Sequence, residues 1–361
     1  MEGIHGGDIY TYEPKIDFSA NINPLGPPKR VIEAIQKSIL LSDHYPDVSC
    51  RKLRRSLMEA EQVPVESILC GNGAADLIFQ LVLSEKPKRA VLAIPAFAEY
   101  EQALETAGCE ILYYRMKEET GFQIQRDYLD FLTEDVDMIF LCTPNNPTGQ
   151  MPKRELLLAI LKRCRENHIR MVMDECFIDF TDHPEESSMK EYLKEEELVI
   201  LKAFTKFYAL PGIRLGYALT SDLALIERMK KSRQPWSVSV PAQAGGIASL
   251  EEKDLPETVR AYVKRERNYL TQELSKLGIR FYPPAANFIL LYSHKDLYHL
   301  LKERGYLIRD CSNYEGLTKG YYRIAVRRHT ENKLLIKALG EIVRAGGNED
   351  GKTDYDTGNH V

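Results

Sequence analysis

The chain has no apolar run near the roughly twenty residues that a membrane-spanning helix needs. Its N-terminus, MEGIHGGDIYTYEPKID, has neither the apolar core of a secretory signal nor an Arg-rich transit pattern. No membrane partner is expected, and the protein is expected to stay in the cytoplasm. There is no large excess of charge of either sign: 48 Lys and Arg against 53 Asp and Glu leave a formal net charge of -5, which removes nucleic acid from the expected partners. The sequence also lacks a C-x-x-C pair, an H-E-x-x-H word and any His–Cys ligand spacing, so no metal site is expected. Seven cysteines (Cys50, Cys70, Cys109, Cys142, Cys164, Cys176, Cys311) are scattered, several inside apolar runs, which reads as reduced core thiols. Tryptophan is nearly missing, Trp236 being the single one.

What is present fits an ordinary globular protein of two domains: 361 residues, 44% hydrophobic and 28% charged. From residue 67 to 235 short apolar runs alternate with helical patterns. Strands are expected at SILC (67–70), RAVLAI (89–94), CEILYYRM (109–116), VDMIFLC (136–142), IRMVMD (169–174), LVILKAF (198–204) and LGYALT (215–220). Helices are expected over 74–84, 96–108, 153–167 and 222–233. This rhythm predicts an α/β domain built on a mainly parallel central sheet. Beyond Pro235 and Pro241, charged helices over 254–277, FILLYS, a helix near 295–304, YLIRDC and YYRIAVRR predict a smaller α+β domain. The division is then 1–40 as an N-terminal arm and part of the small domain, 41–235 as the large domain, and 236–345 as the small domain. Residues 346–361, polar and rich in Gly and Asp, are expected to form a disordered tail or a terminal extension.

In an open parallel sheet, ligands bind beyond the carboxyl ends of the strands, so the residues that follow each strand are informative. Gly71-Asn72-Gly73-Ala74-Ala75-Asp76 opens a helix. Its free backbone N–H groups and dipole suit a phosphate, though a plain strand-to-helix turn reads the same way. Thr143 to Gly149 packs two X-Pro units and an Asn pair into one turn, which could fix an amide donor at a strand end. Asp174 caps a buried strand and wants a cationic partner such as a protonated ring nitrogen. Lys206 follows another buried strand, eight residues before Arg214. Desolvation there would lower its pKa and make it a nucleophile toward an aldehyde, while Arg214 could neutralise a phosphate. A lysine with an aspartate partner is the pairing that holds pyridoxal phosphate.

In YYRIAVRR, period-two alternation sends Ile324 and Val326 one way and Arg323, Ala325 and Arg327 the other, with Arg328 on the apolar side. The Cα atoms of Arg323 and Arg327 would stand roughly 13 Å apart, from four steps of about 3.3 Å. Two long cations on one face could grip the two ends of a small dianionic substrate.

The ordered words NPTG (146–149), DECF (174–177) and TK-x(7)-RLG (205–216) resemble the class I/II aminotransferase superfamily, pyridoxal-phosphate enzymes of fold type I, over nearly the whole chain. Within it, HGG (5–7), DFSANINPLG (17–26), PAFAEY (95–100), CTPNNPTG (142–149), FTKFYALPG (204–212), PWSV (235–238) and YYRIAVR (321–327) look like the threonine-phosphate decarboxylases of cobalamin biosynthesis. Histidinol-phosphate aminotransferases share fewer of these words and remain the alternative.

The resemblance implies pyridoxal 5'-phosphate as cofactor and a small phosphorylated amino acid as substrate. It implies Lys206 as the Schiff-base lysine, Asp174 beside the pyridine nitrogen, Asn146 on the phenolic oxygen and Phe97 against the ring face. The cofactor phosphate would lie on Gly73, Ala74 and Ala75, with Thr205 and Arg214. Tyr45 would reach the phosphate of a neighbouring subunit, hence a homodimer with shared active sites. Arg323 would clamp the substrate carboxylate, and His5, Arg309, Arg327 and Asn23 are further substrate candidates. Two positions depart from the wider superfamily: Ala203, where many members carry Ser or Thr against the phosphate, and Phe177, where a tyrosine usually donates to the phenolic oxygen.

Overall fold

A computed structural model describes residues 5–346, so residues 347–361 of the expected tail lie outside the described residues. The strands in chain order are β1 (Ile16–Asp17), β2 (Ile68–Gly71), β3 (Arg89–Ile94), β4 (Glu110–Arg115), β5 (Met138–Cys142), β6 (Arg170–Asp174), β7 (Leu198–Ala203) and β8 (Gly216–Leu219). They are followed by β9 (Arg280–Phe281), β10 (Phe288–Tyr292), β11 (Tyr306–Leu307), β12 (Arg309–Asp310) and β13 (Tyr321–Ala325). Seven of them form the central sheet in the order β2-β8-β7-β6-β5-β3-β4.

Neighbouring pairs from β4 across to β7 are parallel, whereas β8 is antiparallel to both β7 and β2. A parallel neighbour needs a long crossover, and helices such as Arg154–Glu166 supply it. Between β7 and β8, residues 204–215 hold one short 3-10 turn and no helix to carry the chain across the sheet, and the strand direction reverses there. The carboxyl ends of β2, β5, β6 and β7 and the amino end of β8 therefore share one edge of the sheet. Strands β3 and β5–β7 are buried on both faces by side chains such as Val91, Leu92, Ile139, Phe140, Val172, Met173, Val199 and Ile200, which is why they read as continuous apolar runs.

A second sheet, β12-β13-β10-β9, is antiparallel and is covered by the helices Leu255–Lys276 and His329–Gly346. Val259, Val263, Phe288, Leu291, Ile324, Leu335 and Leu339 form its core. The arm strand β1 pairs with β11. The helix Val240–Glu251, which the sequence assigns to the second domain, packs on the helices Lys29–Ser38 and Arg51–Glu61. Its Ala242 and Ala248 join the core of the larger sheet. All seven cysteines are buried free thiols, and no helix among the described residues is long and apolar enough to cross a membrane.

Behind the large sheet, the carboxylate of Glu61 is buried between the ammonium groups of Lys202, at 2.9 Å, and Lys190, at 3.0 Å, and accepts from the Tyr217 hydroxyl. Burial opposes ionisation of Glu61, but the two lysines and the hydroxyl outweigh it and hold its pKa at about 2. A depressed carboxylate contributes stability above its unfolded pKa and loses it as pH falls through the folded value. Glu61→Gln is therefore expected to destabilise the fold by about 3 kcal/mol at neutral pH, the cost of stranding a buried partner. Denaturant unfolding should show this gap narrowing as pH falls from about 4.3 toward 2; a pH-independent gap would contradict the ion-pair origin.

Candidate active site

Lys206 lies three residues past β7, at the shared edge. Burial lowers its pKa to about 8, and the guanidinium groups of Arg323 and Arg214 push in the same direction. Its Nζ stands 5.9 Å from the centre of the Phe177 ring, which offers no hydrogen bond. The backbone around it is fastened to the N-terminal arm. Asn23 N–H donates to the Lys206 carbonyl at 3.0 Å, and Asn23 Nδ2 donates to the Phe207 carbonyl at 2.8 Å. Asn23 Oδ1 in turn accepts from Leu25 N–H at 3.0 Å. Asn23, expected from the resemblance to touch substrate, thus fastens the lysine loop to the arm.

Asp174, at the end of β6, is buried as expected, but its partner in this chain is not a cation. The Tyr100 hydroxyl donates to Oδ2 at 2.5 Å, and Cys176 N–H donates to Oδ1 at 2.9 Å. Tyr100 is fully enclosed and stacks on Phe140 at 4.9 Å; burial and the Asp174 carboxylate push its own pKa well above the ordinary value. These two donors fix the carboxylate plane and leave its outer lone pairs for a third donor. Glu175, next in sequence, instead accepts from Ser188 and from Met189 N–H. Phe97, two helix positions before Glu99, meets Tyr100 edge-on at 5.7 Å.

The glycine turn after β2 forms a cradle. Gly73 caps the helix Ala74–Glu85 at φ +89°, and no side chain caps the first-turn N–H groups. A Cβ on Gly73 would sit 2.7 Å from Arg214 Nη2, so the guanidinium lies directly over the turn. Gly216, which pairs with both Gly71 and Ala203, could not carry a Cβ either: it would fall 2.6 Å from Ala74 N. Thr205 is buried beside Lys206. Uncapped amides, a guanidinium and a hydroxyl are the donor set of a phosphate site.

Arg323, on β13, is buried; its Nη2 donates to the Ser19 carbonyl at 2.8 Å and its Nη1 to Asn146 Oδ1, while its buried Nε has no partner. Asn146 thus keeps its Nδ2 donor for a ligand oxygen. Arg327 departs from the alternation: β13 ends at Ala325, and Arg327 Nη2 pairs with Glu331 at 3.2 Å. Its backbone N–H goes to Asn332, so the strand geometry that set it beside Arg323 is lost two residues earlier. His5 and Arg309 line two adjoining cavities at the mouth. Arg309 donates to Asn313 Oδ1 at 2.8 Å. Tyr45 is far more exposed, at 79%, and stacks on Trp236 at 4.5 Å amid exposed Ile39, Leu40, Leu41 and Val48. Tyr100 and Glu99 are the site residues that sequence reasoning passed over; both lie inside the PAFAEY word, but nothing in their spacing marks them as facing Asp174 or Lys206.

Because the raised reactivity of Lys206 comes from burial among cations, its amine in cofactor-free protein should become nucleophilic as pH rises through about 8. Ordinary lysines do so near 10.4. Mass-spectrometric mapping of reductive methylation against pH checks this; a midpoint matching the surface lysines would refute the environment described.

The model of the family "Aminotransferase class I and II" matches residues 13–339. The chain is 39% identical over 356 residues to the threonine-phosphate decarboxylase of Salmonella typhimurium, covering 95% of this chain and 97% of that one. The crystal structure of the histidinol-phosphate aminotransferase from Clostridium acetobutylicum superposes with a TM-score of 0.86 at 31% identity, covering 91% and 99% of the two chains. That of L-threonine-O-3-phosphate decarboxylase from Porphyromonas gingivalis superposes with a TM-score of 0.80 at 27% identity over the same shares. With its mainly parallel sheet, the chain has the fold-type-I architecture and belongs to the class I and II aminotransferase family.

Proposed function

We propose that the chain is a pyridoxal-phosphate-dependent decarboxylase that converts L-threonine O-3-phosphate into (R)-1-amino-2-propanol O-2-phosphate for cobamide synthesis. The observation that carries this reading is the 39% identity, end to end, with a relative named for that activity. When bound, the cofactor supplies an electron sink for whichever Cα bond stands across its ring.

Every other task falls to the chain. Lys206 Nζ, with its pKa lowered to about 8, would hold the cofactor and would supply the proton that replaces the departing carboxylate at Cα. Asp174, oriented by Tyr100 and Cys176 N–H, would hold the protonated pyridine nitrogen. Asn146 Nδ2 would serve the phenolic oxygen, and Phe97 would cover the ring. The amides of Gly73, Ala74 and Ala75, the Thr205 hydroxyl and Arg214 would hold the phosphate. Arg323, braced by Ser19 and Asn146, binds the substrate carboxylate, while His5 and Arg309 bind the substrate phosphate. The exposed apolar strip around Tyr45 and Trp236 supports a homodimer in which Tyr45 reaches a neighbouring site, and the cytoplasm is the compartment assigned.

L-Serine O-phosphate lacks one methyl, a contact worth only about 1 kcal/mol, so it should also turn over, less efficiently. A second reading, transamination of histidinol phosphate, is favoured by the 0.86 TM-score with the Clostridium enzyme. Incubation with each phosphate ester separates the two. Carbon dioxide from phosphothreonine, abolished in Lys206→Ala together with the visible absorption band, is the expected result. Glutamate formation from histidinol phosphate with 2-oxoglutarate, without carbon dioxide from either phospho-amino acid, would replace the first reading by the second. Because Phe177 cannot donate to the phenolic oxygen, the visible band of the holoenzyme should titrate at higher pH than that of Phe177→Tyr. Identical spectral titrations would remove that role from position 177.

A further inference from the structure

Glu99 is a carboxyl placed among cations, where none of the tasks assigned above uses it. It sits in the first turn of the helix Ala98–Thr106, with its side chain only 16% exposed. Its Oε1 lies 3.6 Å from Nε2 of His5, and its Oε2 is buried with no hydrogen-bond partner. The charged groups that face it are Lys206 and Arg214 from the loop between β7 and β8, Asp174 from the end of β6, and His5 from the arm. Arg309, on β12, and Lys206 face His5 in turn. On the same helix, Glu101 turns away to accept from the Tyr113 hydroxyl.

An ionised carboxylate at this place would repel the phosphate that His5 and Arg309 are positioned to receive. Burial opposes that ionisation, and a proton shared with His5 cancels its charge. Burial pushes Glu99 up to about 7, while burial, Arg309 and Lys206 pull His5 below its ordinary value. The ranges of the carboxyl and the imidazole are thereby drawn toward each other, and two such groups 3.6 Å apart can hold one proton between them. With that proton the pair is neutral overall. Placed on the imidazole it gives an imidazolium anchored at Nε2 by the carboxylate, with Nδ1–H left to donate to an oxyanion.

We propose that Glu99 is a positioning residue for His5: the two share one proton, Glu99 anchors the imidazole at Nε2, and Nδ1–H grips the phosphate of the substrate while the pair stays protonated. This rests on the reading that the substrate carries a phosphate. With its proton the pair is neutral and binds phosphate; as pH rises through the raised pKa of Glu99, about 7, it becomes anionic and the grip is lost.

Glu99→Gln keeps the shape but cannot share the proton. The ratio of its kcat/KM for phosphothreonine to that of wild type cancels the ionisations common to both, including that of the substrate phosphate. At about pH 6 the variant should show a roughly tenfold deficit, carried by KM, which closes to within about twofold near pH 8.5. A deficit constant with pH, or none, overturns the proposal. A second measurement does not depend on turnover. In the holoenzyme with isotope-labelled histidine, the His5 imidazole signal, assigned by its loss in His5→Gln, should titrate at lower pH in Glu99→Gln than in wild type. An unchanged His5 titration overturns the pairing. Absence of carbon dioxide from the wild-type enzyme would instead count against the decarboxylase reading alone.

Discussion

Lys206 shares its buried corner with the guanidinium groups of Arg214 and Arg323, and like charges withdrawn from water repel strongly. A guanidinium does not release its proton, so the amine does. Burial, the larger effect, and this repulsion together lower the lysine to about 8 and leave beside it two permanent cations suited to anionic groups. No ion pair among the described residues joins Asp174 to either guanidinium: its oxygens accept from Tyr100 and from Cys176 N–H, and its outer lone pairs stay open to a further donor. The site is therefore electrostatically complementary to something with two anionic ends, and the glycine cradle under Arg214 and the Ser19–Asn146 brace on Arg323 set where those ends lie.

The reversal between β7 and β8 is what assembles this corner. A crossover helix would have carried the chain to the far edge of the sheet; the short return through 204–215 places Lys206 and Arg214 on the same edge, beside the turn after β2. The packing there admits only small residues. Gly71, Gly216 and Ala203 lie side by side in register, and the backbone of the following helix rests on them. A serine or threonine at 203 would add a hydroxyl to this row; alanine leaves the work to amides, Thr205 and Arg214.

Much of this was legible in the sequence because burial on both faces writes itself as unbroken apolar runs, and because the residue after such a run must lie at a strand end. That logic puts Lys206, Asp174 and the Gly73 turn at strand ends, where the structure has them, and the resemblance adds Asn146. What escaped it depends on contacts between distant segments. Tyr100 reads as a core aromatic until Asp174, 74 positions later, is seen against its hydroxyl. Glu99 reads as an exposed helix-start acid. Arg327 was misplaced because alternation says nothing of where a strand stops: β13 gives way to the start of the last helix, whose Glu331 and Asn332 take up that arginine. The helix Val240–Glu251 carries Pro241 in its first turn, where the two prolines look like a boundary, yet its small residues suit the larger core.

The N-terminal arm touches the site at three points: Ser19 on Arg323, Asn23 on the Lys206 loop and His5 on Glu99. The first of these contacts spans 304 positions of sequence. During synthesis the arm emerges long before β13 exists, so Ser19 must wait for a residue made 304 positions later to find its partner. Contacts of such separation close late in folding, since the loop entropy they cost must first be offset by the packed sheet. A nascent chain can thus own a finished large sheet, with its lysine already at the edge, and still lack the clamp for its substrate, so that competence arrives as a single late event rather than by degrees.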